Sequence, residues 1–203
     1  MSISLVQSAV NTNHNTLAFP SNNTAGNLLI CVIDNEDTYD QVPVDTQGNT
    51  WNLACTSSVD GTAVILFYAM NCAGGANTVE FTGSDDPNTI SIYEFSGLKT
   101  TGALDKAAGG YGSSVSITTT ASGELVFSSM DNYADNPTYP TISVGSGWTA
   151  GKNAEVNIEG FDVTIQDGWQ VQSSSGSISN SSWSVSNGKG VWNGMVIASF
   201  FHA

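Results

Sequence analysis

The stretch AGNLLICVIDNEDTYDQVPVDTQGNTW, Ala25–Trp51, sets the reading of the whole chain because it recurs. Shifted by 97 positions, it falls without a gap on SGELVFSSMDNYADNPTYPTISVGSGW, Ser122–Trp148. Gly26 meets Gly123, Leu28 meets Leu125, and Asp34-Asn35 meets Asp131-Asn132. Further on, Pro43, Gly48 and Trp51 meet Pro140, Gly145 and Trp148. Matches that keep register at glycines, proline and tryptophan point to a diverged tandem duplication. Each copy reads as a glycine turn, a buried strand, an acidic loop, a proline-bearing connection, a second turn and a strand opening on tryptophan.

Outward from that unit the chain reads as strands. Leu28–Ile33 is a continuous apolar run, the pattern of a strand buried on both faces. Ala63–Met70, AVILFYAM, is the most hydrophobic stretch, and its Val, Ile, Phe and Tyr suit a central strand. After the Gln47-Gly48-Asn49 turn, the two-residue period puts Trp51, Leu53 and Cys55 on one face, and Cys55 opposite Ile65 in the next strand. Ile90–Phe95 closes the first half, and Met195–Phe200 plays its part in the second. Val156–Gln166 and Gly168–Ser173 read as separate strands. Leu98–Gly112 reads as linker, with room for one helical turn near Ala103–Ala107. No stretch carries a capped helical period. The expected fold is all-β: a two-sheet β-sandwich, jelly-roll-like, built from two diverged tandem halves. It is one domain, 1–203, with a first half of about 1–98, a linker of about 99–114 and a second half of about 115–203, because either half alone would leave a sheet face bare.

Charge narrows the function. The chain has 18 acidic residues against four lysines and no arginine, a net charge of −14. Phosphate would repel it, which excludes nucleic acid as a partner and disfavours an anionic membrane. Only 11% of residues are charged, so Ser, Thr, Asn and Gly carry the surface. Cys31, Cys55 and Cys72 lack metal-ligand spacing, and His14 and His202 stand at the far ends, so the thiols read as small apolar groups. No segment has the basic start and apolar run of a signal peptide. That fits synthesis without export, or a chain that begins after a removed leader.

The runs AGNLL at Ala25–Leu29, DTQGNTW at Asp45–Trp51 and AGGANTV at Ala73–Val79 resemble a poorly characterised family of β-sandwich domains. YEFSG at Tyr93–Gly97, GELVF at Gly123–Phe127 and GSGWT at Gly145–Thr149 carry the same resemblance. Such domains occur in bacterial surface proteins and phage structural proteins, so the resemblance implies a sandwich in an extracellular or virion setting. It implies no catalytic residues.

The residues bear on four chemistries. Asp34, Glu36, Asp37 and Asp40 supply hard oxygen ligands that suit calcium, although Tyr39 stands where an EF-hand loop has glycine; the bland alternative is a solvated acidic loop. Apart from this calcium, no cofactor is expected. Tyr39, Tyr111, Tyr133 and Tyr139 fall in expected loops, where they would stack on sugar rings, joined by Trp169 and Trp192 if these face outward. Trp51, Trp148 and Trp183 read as core. Hydrolysis would need paired carboxylates, but Glu94 is the one acid inside an apolar strand and its counterpart is near Ser199. Gly145-Ser146-Gly147 is a turn and no triad is visible, so the chain reads as non-enzymatic. Assembly would use the terminal strands, Ile3–Val10 and Met195–Phe201, to augment a neighbouring sheet.

The expectation is a non-catalytic structural or adhesive β-sandwich, a phage virion component such as a capsid-decoration or tail/fibre subunit. It would act as a homo-oligomer or with other virion or surface proteins. The alternative is an extracellular carbohydrate-binding module or surface adhesin domain with glycan partners. The location is the virion, or the extracellular space and cell surface.

Overall fold

The computed structural model describes residues 2–35, 42–59, 62–82, 89–135, 138–158, 160–188 and 193–203. The first half contributes β1 (Ser4–Thr12), β2 (Thr16–Ala18), β3 (Leu28–Asn35), β4 (Val44–Asp45), β5 (Trp51–Val59), β6 (Thr62–Ala69), β7 (Thr78–Glu80) and β8 (Thr89–Ser96). The second contributes β9 (Leu104–Tyr111), β10 (Ser116–Thr119), β11 (Glu124–Asp135), β12 (Thr141–Ser143), β13 (Thr149–Ile158), β14 (Phe161–Gln172), β15 (Gly176–Ser179), β16 (Ser184–Ser186) and β17 (Gly194–Phe200). The described residues contain no helix.

Two five-stranded antiparallel sheets form the centre, in the orders β1-β8-β3-β6-β5 and β13-β14-β11-β17-β9. Alternation along the buried strands explains how they stack. Leu28, Ile30 and Val32 of β3 join Leu66, Tyr93 and Phe95 against Leu125, Phe127, Val196 and Phe200 of the other sheet. The odd-numbered neighbours Leu29, Cys31 and Ile33 point the other way, under Phe19, Val79 and Phe81 of the small β2-β7-β4 sheet and its flanks. Val126, Met130, Met195 and Ile197 are covered in the same manner by Ile117, Ile142, Trp148 and Trp183, from the β10-β15 and β12-β16 ribbons and their flanks. The two-sheet sandwich therefore carries a thinner cover on each outer face. This is why Leu28–Ile33 has no polar position.

The two large sheets follow one plan. Taking β1, β3, β5, β6 and β8 onto β9, β11, β13, β14 and β17 turns the first strand order into the second. Register follows too: Leu28 pairs with Phe95 and Ile33 with Ile90, while Leu125 pairs with Phe200 and Met130 with Met195. Each edge strand has an extra residue at a matching place. The ladder shifts between Leu5 and Gln7 in β1 and opposite Leu104 and Lys106 in β9, then between Leu53 and Cys55 in β5 and between Ala150 and Asn153 in β13.

Several expectations need correction. The 99–114 linker contains β9, an edge strand paired to β17, and no helical turn. Val156–Gln166 and Gly168–Ser173 are not separate strands: Phe161–Gln172 is one strand, and Val156 belongs to the strand before it. The β5 bulge breaks the period after Leu53: Trp51 and Leu53 keep the outer face, Trp51 buried against the cover and Leu53 46% exposed beyond it, while Cys55 packs toward the inter-sheet core. The same extra residue puts Cys55 opposite Leu66 and not Ile65. Met195–Phe200 lies between β11 and β9, with no edge to offer a neighbour. All three cysteines are free thiols.

Candidate functional site

The inter-sheet core changes character along its length. At the end where both chain termini lie it is aromatic, with Tyr68, Phe95, Phe127 and Phe200 interlocked edge to face. At the other end the inward positions hold Asp34 from β3, Asp131 from β11 and Asp167 from β14, each 1% exposed or less. Asp34 and Asp131 are the two aspartates that align in the sequence repeat. Because the sheets share one register and stack face to face, these equivalent positions arrive at a common interface.

Asp131 Oδ1 accepts the Gly194 N–H, and its Oδ2 has no hydrogen-bond partner among the described residues. Burial pushes its carboxyl well above the usual range, and the Asp34 charge pushes it the same way, against the stabilising Gly194 N–H. Burial and the neighbouring Asp34 charge thus both favour the neutral, protonated form of Asp131. Asp167 Oδ2 accepts hydrogen bonds from Ser91 Oγ and Tyr93 Oη, both at 2.6 Å. Burial raises its carboxyl despite these donors. Tyr93 Oη in turn accepts the Lys152 N–H at 2.6 Å, offered by the β13 bulge. Gly151 makes room for this contact, since a Cβ there would lie 2.7 Å from Tyr93 Oη. A chain of polar bonds therefore crosses from one sheet to the other.

The expected calcium set divides. Asp34 lies within β3 with its side chain sealed inside, and does not stand in a loop; Glu36, Asp37 and Asp40 lie outside the described residues. Among the described residues no three His, Cys, Asp or Glu side chains converge to hold a metal ion. The expected aromatic platform also changes. Tyr39 and Trp192 lie outside the described residues. Tyr111 ends β9, and Tyr133 lies within β11, where it packs against Val156 and Val163 instead of standing in a loop. Tyr139 is half-buried just before Pro140. Trp169 packs inward, edge to face on Phe95 with ring centres 5.4 Å apart.

The opposite end of the first half holds two carboxylates that stay ionised. Glu94, fully buried, accepts Gln7 Nε2 at 2.6 Å, Asn23 Nδ2 at 2.8 Å, the Thr24 N–H at 2.8 Å and Asn27 Nδ2 at 2.6 Å. Burial alone would raise it, but these four donors win and hold it below the ordinary glutamate value. Asp45 does the same for the DTQGNTW turn, accepting the N–H groups of Gln47 and Asn49, Asn49 Nδ2, Trp51 Nε1 and Asn77 Nδ2. Its carboxyl is also lowered, the donors outweighing burial. Beside this turn lies a cleft of about 510 Å³, reached by Gly26, Gln47, Gly48, Thr50, Met70 and Asn71. Sequence reasoning missed both Asp167 and this cleft. Asp167 could have been noticed as an acid at an inward position of its strand; the cleft has no signature beyond three turns that happen to meet.

No protein-family model, curated protein or solved structure matches the chain.

Proposed function

We propose that the chain is a non-catalytic structural or adhesive module, working in many copies on a virion or cell surface, most simply as a phage decoration or tail/fibre subunit. The observation that carries this reading is how the molecule spends its backbone. The central strands of both large sheets are covered on both faces, and all four of the edge strands are bulged. Bulged edges resist uncontrolled strand addition, which a protein displayed at high density must avoid. Contacts are left to the polar covers and to the loops at the two ends. The strand carboxylates serve the scaffold: Asp167 and Glu94 are tied to donors of the fold, and Asp131 is sealed in the core. The resemblance to surface and phage domains points the same way. The last strand cannot augment a neighbouring sheet, because it lies between β11 and β9.

Light-scattering mass on a sizing column, with negative-stain microscopy of the same peak, tests the proposal. A defined oligomer or regular higher assembly is expected. A clean monomer at every concentration would overturn the multi-copy reading. The second reading, a saccharide-binding surface module, is favoured by one observation, the open cleft beside Gly48.

A further inference from the structure

The repeat supplies two versions of one turn cluster, and only one of them is open. Gly48 and Gly145 occupy matching positions, 97 apart. A Cβ on Gly145 would overlap Ser182, whereas a Cβ on Gly48 would meet nothing within 4 Å. In the second half the chain before Trp183 fills the space. In the first half it is the cleft of about 510 Å³, within the size range of small-ligand sites.

Its lining narrows what it can take. The carboxylates nearest in the fold, Asp45 and Glu94, are saturated by five and four donors, so nothing is offered to a cation. The Gly26, Gly48, Cys72 and Ala73 N–H groups are all committed within the fold, so these four are not offered to an anion or to a peptide strand. The Cys72 thiol donates to the Thr24 carbonyl, and burial pushes it up to about 11, so it is neutral. What remains open is uncharged: the Thr50 hydroxyl, the Asn71 side-chain amide, and Gln47 Oε1, whose own Nε2 is tied to the Ala76 carbonyl. Met70 and the methyls of Ala25 and Ala73 supply apolar surface beside them. Gly26, Gly48 and Asn71 sit at φ of 91°, 69° and 52°, and the internal bonds of these turns fix the rim before any ligand arrives.

We propose that this cleft binds a neutral saccharide. Its hydroxyls would pair with Thr50, Asn71 and Gln47 while its C–H face rests on Met70 and the alanine methyls. The inference gives a ligand class to the adhesive half of the proposed function and rests on that half alone.

The test is an amide-resolved NMR titration with maltohexaose, cellohexaose and chitohexaose, using oligogalacturonate as the anionic control. Saturable shifts confined to residues 25–27, 47–50 and 70–73 are expected with at least one neutral probe and not with the control. The exposed-site variant Thr50→Ala/Asn71→Gly, which removes the hydroxyl and the amide and keeps the left-handed turn at 71 accessible, should weaken that binding about tenfold, the loss of two hydrogen bonds. Gly48→Asn, at a left-handed position that asparagine tolerates, should block the cleft while leaving the spectrum folded. No shift with any neutral probe, equal binding of the anionic control, or binding undiminished in both variants would overturn the inference. Oligomeric state is read separately: a monomer that binds keeps the cleft and loses the assembly, and an oligomer that does not bind does the reverse.

Discussion

Glu94 shows most clearly what single residues do in this protein. Its position in an apolar strand was legible in the sequence, and so was the absence of a matching acid at Ser199. Its partners were not, because Gln7, Asn23, Thr24 and Asn27 come from turns and an edge strand far away in the chain. The second half solves the same problem from another strand. Glu124 stands 97 positions after Asn27, and it accepts the Ala121 N–H at 2.7 Å where Glu94 accepts that of Thr24 at 2.8 Å. The carboxylate stands on a different strand in each half, and in both it accepts an N–H of the turn before β3 or β11. Charge-assisted bonds to a buried carboxylate are strong, and an amide in its place sets donor against donor. Glu94→Gln should therefore lower stability by about 3 kcal/mol in urea unfolding at neutral pH. Because the folded value of Glu94 is depressed, its contribution is present above the unfolded glutamate value and disappears as pH falls through the folded one. The variant's deficit should accordingly shrink in acid.

At the level of elements, the existence of the strands was more legible than their edges. Continuous apolar runs identified β3, β6 and β17, since burial on both faces leaves no room for polar positions. The bulges were not visible, because one inserted residue alters no composition, yet the one in β5 turns Cys55 from the outer face to the inter-sheet core. The strand β9, LDKAAGGY, reads as linker in the sequence because its glycines and alanines carry little strand propensity. The structure shows why they are small. Gly109 lies flush against the Thr56 backbone of β5, where a Cβ would overlap the Thr56 carbonyl, and Gly110 beside it faces open space. Here the edges of the two large sheets meet at a corner. Gly109→Ala should cost about 2 kcal/mol by forcing β5 and β9 apart. Gly110→Ala should be neutral within about 0.5 kcal/mol. Thermal melts of the two variants side by side check the corner, and equal effects would count against it.

For the whole molecule, the sequence repeat announced that Asp34 and Asp131 are equivalent. It could not say that they face each other, since no local pattern records which faces of two sheets come together. Their meeting gives the sandwich an apolar end and an acidic end, where Asp167, Ser91, Tyr93 and the Lys152 N–H tie one sheet to the other. The lowered acids Glu94 and Asp45 weaken the fold as they protonate in acid. The raised acids Asp131 and Asp167 act in the opposite sense: their folded values exceed the unfolded ones, so the fold is favoured at low pH and loses that advantage as pH climbs toward the folded values. The net charge of −14 adds self-repulsion on the same alkaline side. Stability should peak in mild acid. The most direct measurement is urea unfolding of the wild-type chain and Asp131→Asn, in steps from pH 5 to pH 9. The expected result is a wild-type stability that falls steadily with pH and a flatter profile in the variant, with Asp167 supplying the remaining slope. A level wild-type profile, or the same slope in both proteins, would contradict a buried, proton-holding acidic end between the sheets.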